Sequence, residues 1–174
     1  MKRYILTAIM SLMLFAGTAF ASESGQSPQT KEKSAIEKYM RKVARIKSDE
    51  IDYSYISTNM IKQIFATLGN DAKNMPAPFT TIKSMYRFVT TGDEGYKQLV
   101  KAMQQFLQED ETVMGMQLMA LNRESGTQTV IYSDRNNLLL VEDDGDDELS
   151  VVFIAGLTYD AFKVLSKGGF NIDF

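Results

Sequence analysis

Apolar residues recur along this chain with two distinct periods, and the change from one to the other divides it into its predicted elements. From about Glu32 to Ile46, the positions Ile36, Tyr39, Met40, Val43 and Ile46 fall three and four apart, the spacing that collects side chains on one face of an α-helix. Lys38, Arg41, Lys42 and Arg45 occupy the opposite arc, with Glu37 four residues before Arg41 as a helix-supporting pair. Ile51-Asp52-Tyr53-Ser54-Tyr55-Ile56 then alternates with period two and predicts a short strand. Ser57 or Thr58 caps a second helix reaching Leu68, with Gly69 as its stop. Pro76 and Pro78 mark a loop before a second strand, Ile82 to Thr90. A helix from about Asp93 to Gln108 follows, with Tyr96, Leu99, Val100, Met103, Phe106 and Leu107 inward and Lys97, Lys101, Gln104 and Gln108 outward.

The helical period then disappears for some forty residues. Four strand-like runs, Val113 to Leu121, Thr127 to Tyr132, Leu138 to Val141 and Leu149 to Ala155, are separated by turns at Gly126, at Asp134 to Asn137, and at Gly145, which makes a meander of antiparallel hairpins the simplest solution. Thr158 caps a short helix to about Ser166, Gly168-Gly169 ends it, and Phe170, Ile172 and Phe174 alternate like a closing edge strand. Leu138-Leu139-Leu140-Val141 and Val151-Val152-Phe153-Ile154 are apolar on both sides, as strands with two covered faces are. The predicted fold class is α+β: an antiparallel sheet with a C-terminal β-meander and helices packed mainly on one face.

The N-terminus has a different logic. Lys2 and Arg3 precede an apolar run from Ile5 to Ala16, and Ala19-Phe20-Ala21 before Ser22 has the A-x-A form of a signal-peptidase site. The run is too short to cross about 30 Å of hydrocarbon. The expected organisation is a signal peptide over 1–21, cleaved between Ala21 and Ser22, a polar flexible leader over 22–31, and a single domain over 32–174. Export to the periplasm or the medium follows, with no transmembrane span after cleavage and, since no Cys is available to be acylated, no lipid anchor.

Composition narrows the chemistry. The 174 residues include no His and no Cys, which removes Ser-His-Asp and Cys-His nucleophile systems, thiol redox centres, disulfides and N/S zinc sites. No phosphate-binding glycine loop or nucleophile elbow is present. The net charge of −3 argues against nucleic acid as a partner. Charge is segregated, however: Lys31 to Lys47 holds seven basic and two acidic residues, Asp134 to Glu148 seven acidic and one basic. The two segments suit each other or external partners.

Three clusters are candidates for chemistry. Glu142-Asp143-Asp144-Gly145-Asp146-Asp147-Glu148 offers the oxygen ligands that calcium needs, with Asp143, Asp144, Asp146 and Asp147 as the metal candidates. Its spacing departs from the EF-hand pattern, and Asp-Gly between apolar strands is itself a hairpin signal, the reading preferred here. Met114, Met116 and Met119 have thioethers suited to Cu(I) but are equally accounted for by apolar packing. Tyr53, Tyr55, Tyr86 and Tyr96 offer flat rings with polar tips for a peptide or carbohydrate groove. A carboxylate-based hydrolase without a recognisable motif stays open as an alternative.

The hairpin strands Leu138-Leu139-Leu140-Val141 and Glu148-Leu149-Ser150-Val151-Val152-Phe153-Ile154-Ala155-Gly156, with the acidic Gly145 turn between them, resemble the C-terminal signature of an exported bacterial family, the domain of unknown function 4252 family. Tyr55-Ile56-Ser57 leading into Met60-Ile61-Lys62 is similar to that family's earlier strand-to-helix element. The resemblance runs from about Ile36 to Leu165 and implies an α+β envelope domain, without catalytic or cofactor residues to carry over. The expectation is a non-enzymatic binding module of the cell envelope with a protein partner and no cofactor, the alternatives being calcium or small-ligand binding and the hydrolase.

Overall fold

A computed structural model describes residues 34–67 and 80–167. The signal peptide with its Ala21–Ser22 site, the leader, Gly69, the Pro76 and Pro78 loop, Gly168-Gly169 and the closing Phe170, Ile172 and Phe174 lie outside the described residues.

Helix α1 (Ala35–Val43) begins at Ser34, whose hydroxyl accepts the Glu37 N–H at 3.3 Å, and ends with Arg41 and Lys42 in its last turn. Acid at the start and base at the end both favour the helix dipole. The expected Glu37–Arg41 pair is present at 3.6 Å. Strand β1 (Ile51–Ser57) leads into α2 (Thr58–Thr67), and β2 (Ser84–Thr90) into α3 (Asp93–Leu107). The meander comprises β3 (Thr112–Val113), β4 (Met116–Glu124), β5 (Thr127–Ser133), β6 (Asn137–Asp143) and β7 (Leu149–Ala155), and α4 (Tyr159–Lys167) follows.

The strands form one seven-stranded antiparallel sheet in the order β1-β2-β7-β6-β5-β4-β3. The meander thus folds back until β7 docks on β2, and α3 carries the chain from β2 to the opposite edge. Fifteen residues make a helix ~22 Å long, which nearly matches the ~24 Å spanned by the five inter-strand steps from β2 to β3.

The expected single run Val113 to Leu121 is two strands. Met114 (φ 51°) and Gly115 (φ 82°) both take positive φ, the requirement of a two-residue type I′ turn, and Val113 pairs with Met116 across it. Ser125 and Gly126 repeat the device between β4 and β5.

Alternation sorts the core into two layers. Ile36, Met40 and Val43 of α1 and Leu99, Met103 and Phe106 of α3 bury against Tyr86, Phe88, Val130, Tyr132, Leu139, Val141, Val151 and Phe153 on one face. This is the longer helix layer. On the other face Ile61 of α2 and Phe162 of α4 pack with Ile56, Met85, Ile131, Leu138, Leu140, Val152 and Ile154, so the doubly apolar β6 and β7 are covered on both sides. Among the described residues no helix is long and apolar enough to cross a membrane.

Candidate functional site

Strand β1 stands at one end of the sheet and pairs with β2 alone among the described residues. Its alternation sends Tyr53 and Tyr55 to the α1/α3 face, opposite Phe88 and Tyr86 in the ladder. Tyr53 stacks on Phe88 at 5.2 Å between ring centres, and Tyr55 tilts against Tyr86 at 4.8 Å, with Phe153 behind at 6.0 Å. The ladder is therefore aromatic from the core outward, and its outermost rings stay 45% and 40% exposed. Exposed phenyl rings of this kind, backed by a rigid stack, offer apolar area at little conformational cost.

Helix α1 flanks this stripe. Burial pushes the Tyr53 hydroxyl up to about 12, with Tyr86 and Tyr55 adding to the shift and the nearby Arg41 guanidinium opposing it. Burial also raises Tyr55 and Tyr86, again partly offset by Arg41. At neutral pH all three phenols remain protonated donors. Lys38, Arg41, Lys42 and Arg45 are exposed, so the predicted basic stripe lies on the solvent side of α1.

Beside Tyr53 the α1–β1 connection encloses a shallow cleft of about 600 Å³, lined by Ala44, Ile46, Lys47, Ser48, Asp49, Ile51 and Tyr53. The same connection is tied to α3 by Glu50, whose carboxylate accepts the N–H groups of Glu94 and Gly95 at 2.9 Å each and so caps α3 from a distance. The Glu50 carbonyl also accepts the Thr91 N–H at 2.9 Å.

Tyr96 does not join the stripe. Its hydroxyl donates to Asp143 at 3.0 Å, and burial together with that carboxylate pushes it up to about 12. The acidic residues between β6 and β7 are engaged in shaping their own turn. Asp143 also accepts the Gly145 N–H, and Asp144 accepts those of Asp146 and Glu148. Asp147 adopts φ 82°, its carbonyl accepts the Thr90 hydroxyl at 2.8 Å, and its carboxyl is raised by sharing a hydrogen bond with Asp93. Asp146 is exposed. Among the described residues no group of three or more carboxylates is arranged to hold a metal ion. Met116 is core, whereas Met119 sits exposed at the register shift between Leu118 and Ala120.

A polar row on the opposite face gave no signal in the sequence. The register sets Asp52 opposite Val89, Val89 opposite Ser150, and Ser150 opposite Glu142, with Arg87 one row further along. Burial, then Glu148 and Asp144, raise Glu142, and burial lowers Arg87 against the pull of Asp52 and Glu148. The Arg87 Nε and Ser150 Oγ atoms are buried without a hydrogen-bond partner among the described residues. Only the folded register brings these distant, ordinary-looking residues together.

No family model, curated protein or solved structure matches this chain.

Proposed function

We propose that this protein is an exported, non-enzymatic interaction module of the cell envelope that engages a protein partner along the β1 edge, with Tyr53 and Tyr55 as anchors. The observation that carries the reading is the pair of exposed tyrosines on an end strand of the sheet. A strand in that position presents backbone N–H and C=O groups to an incoming strand, and pockets or rings beside it select side chains. Tyrosine supplies contact area with few torsions to freeze. Export rests on the Lys2-Arg3, Ile5 to Ala16 and Ala19-Phe20-Ala21 sequence. The absence of His and Cys from the sequence removes the commonest nucleophile-base systems and supports recognition over catalysis.

The test is a photo-crosslinking amino acid placed at Tyr55 and, as a control, at exposed Lys101 on α3, with irradiation of intact cells. Discrete protein adducts from position 55 and not from 101 are expected. Equal labelling from both positions, or none from either, refutes the reading.

A further inference from the structure

We infer that the occupant of the β1 edge is a second copy of this chain, paired antiparallel about a two-fold axis through Ser54. The inference rests on the reading of β1 as the contact edge and names its partner. An antiparallel two-fold pairing places the axis normal to the sheet, so it centres on a residue and keeps each copy's faces on the same side. Ser54 is the midpoint of Ile51–Ser57. Centring there alone lets all seven residues pair, with Ile51 opposite the second copy's Ser57.

That register is self-complementary in two ways. Tyr53 falls opposite the second copy's Tyr55, and the reverse, so two exposed rings on each copy meet as cross-strand aromatic pairs, a favourable combination in antiparallel sheets. Asp52, the only charged residue of the strand, falls opposite Ile56 rather than its own twin, which avoids the like-charge pair that would oppose association. The result joins two seven-stranded sheets edge to edge, with both α1 helices antiparallel on one face.

The chain's lack of cysteine makes the register directly testable. Ser54→Cys places two thiols at the axis, within disulfide reach of each other. Asp52→Cys places its thiols four residues out of register, ~13 Å apart along the strand and beyond that reach. Under mild oxidation Ser54→Cys is expected to give a covalent dimer on a non-reducing gel and Asp52→Cys none. In sedimentation velocity the unmodified protein should be dimeric and Tyr55→Glu should weaken association about tenfold or more, while Leu121→Glu on β4 leaves it unchanged. Crosslinking of both cysteine variants or of neither, or a dimer broken by Leu121→Glu but not by Tyr55→Glu, overturns the inference. The photo-crosslinker at position 55 separates the two levels of the argument. An adduct of twice the chain mass supports self-pairing. An adduct with a different protein from a monomeric chain overturns it and leaves the edge reading standing. No adduct overturns both.

Discussion

Gly95 offers a test in which helix propensity and packing predict opposite signs. Replacing a glycine inside a helix by alanine ordinarily stabilises by about 1 kcal/mol, because the glycine loses more backbone freedom on folding. Gly95 sits in the first turn of α3 with an ordinary helical backbone, so that gain is available. A Cβ at this position, however, would lie 2.2 Å from the Glu50 carbonyl oxygen and 2.8 Å from the Glu50 Cβ. The closest neighbour is backbone, which cannot rotate away. Glu50 is also the residue that caps α3 through Glu94 and Gly95 and receives Thr91, so relief of the clash separates the cap from its helix. Overpacking costs about 1–3 kcal/mol, and losing a helix cap adds about 0.5–2 kcal/mol. Set against the propensity gain, Gly95→Ala should destabilise by about 0.5–4 kcal/mol, which at the middle of that range lowers the melting temperature by roughly 5–10 °C for a domain of this size. Thermal and urea unfolding by circular dichroism measure it. An unchanged or higher melting temperature would show that the α1–β1 connection and α3 do not approach as described, and would remove Glu50 as the cap of α3.

The polar groups give four further outcomes. Ser150→Ala should stabilise by about 1 kcal/mol, since it deletes a buried hydroxyl without a partner among the described residues; a destabilised variant means that the hydroxyl is satisfied. Glu142 is raised by burial and by Glu148 and Asp144, so the native state binds its proton more tightly than the unfolded chain does, and the stability present below its ordinary value is lost as pH rises through the raised one. Glu142→Gln should therefore flatten the fall in stability that urea titrations record as pH rises above the ordinary carboxylate range, and an unchanged pH profile refutes the assignment. Asp144→Ala frees the N–H groups of Asp146 and Glu148 and should cost about 1 kcal/mol. Millimolar calcium should leave the melting temperature unchanged because Asp143 and Asp144 are engaged by their own turn, and a calcium-dependent rise would return the loop to metal binding.

The helices and strands were legible because period and punctuation agreed: Gly126 and Gly145 fell in turns, and the outward residues of α3 were the charged and amide ones. The split at Met114 was hidden because Met is a poor sign of positive φ, and a two-residue turn interrupts apolar alternation so briefly that the two strands read as one. The tyrosine stripe was half legible. Tyr53 and Tyr55 share a strand and announce a common face, but the pairing of β1 with β2, which brings Tyr86 to the stripe, is a long-range choice set by tertiary packing. The same packing sends Tyr96 to Asp143. The Glu50 cap was invisible for the same reason, since it joins residues more than forty positions apart.

The two ends of the sheet differ in how they are protected, and that difference gives β1 its significance. Open edges invite uncontrolled pairing, and natural sheets blunt them with bulges, short strands, charge or proline. The β4 end carries such devices: β3 covers only its first two residues, the register shifts between Leu118 and Ala120, and Arg123 is tied to Glu109 in an ion pair. Strand β1 pairs in continuous register along seven residues, contains no Lys or Pro, and directs its one charge, Asp52, to the face opposite the tyrosines. Among the described residues, one edge is disrupted and the other is continuous and aromatic, the arrangement expected when the continuous edge is used. Tyr53→Lys tests this, since a lysine on an edge strand repels an incoming strand while leaving the β1–β2 ladder intact. Folding and melting should change by no more than about 1 kcal/mol, while association through β1 should be lost. If association survives the lysine, the unbroken register of this edge has no bearing on its function.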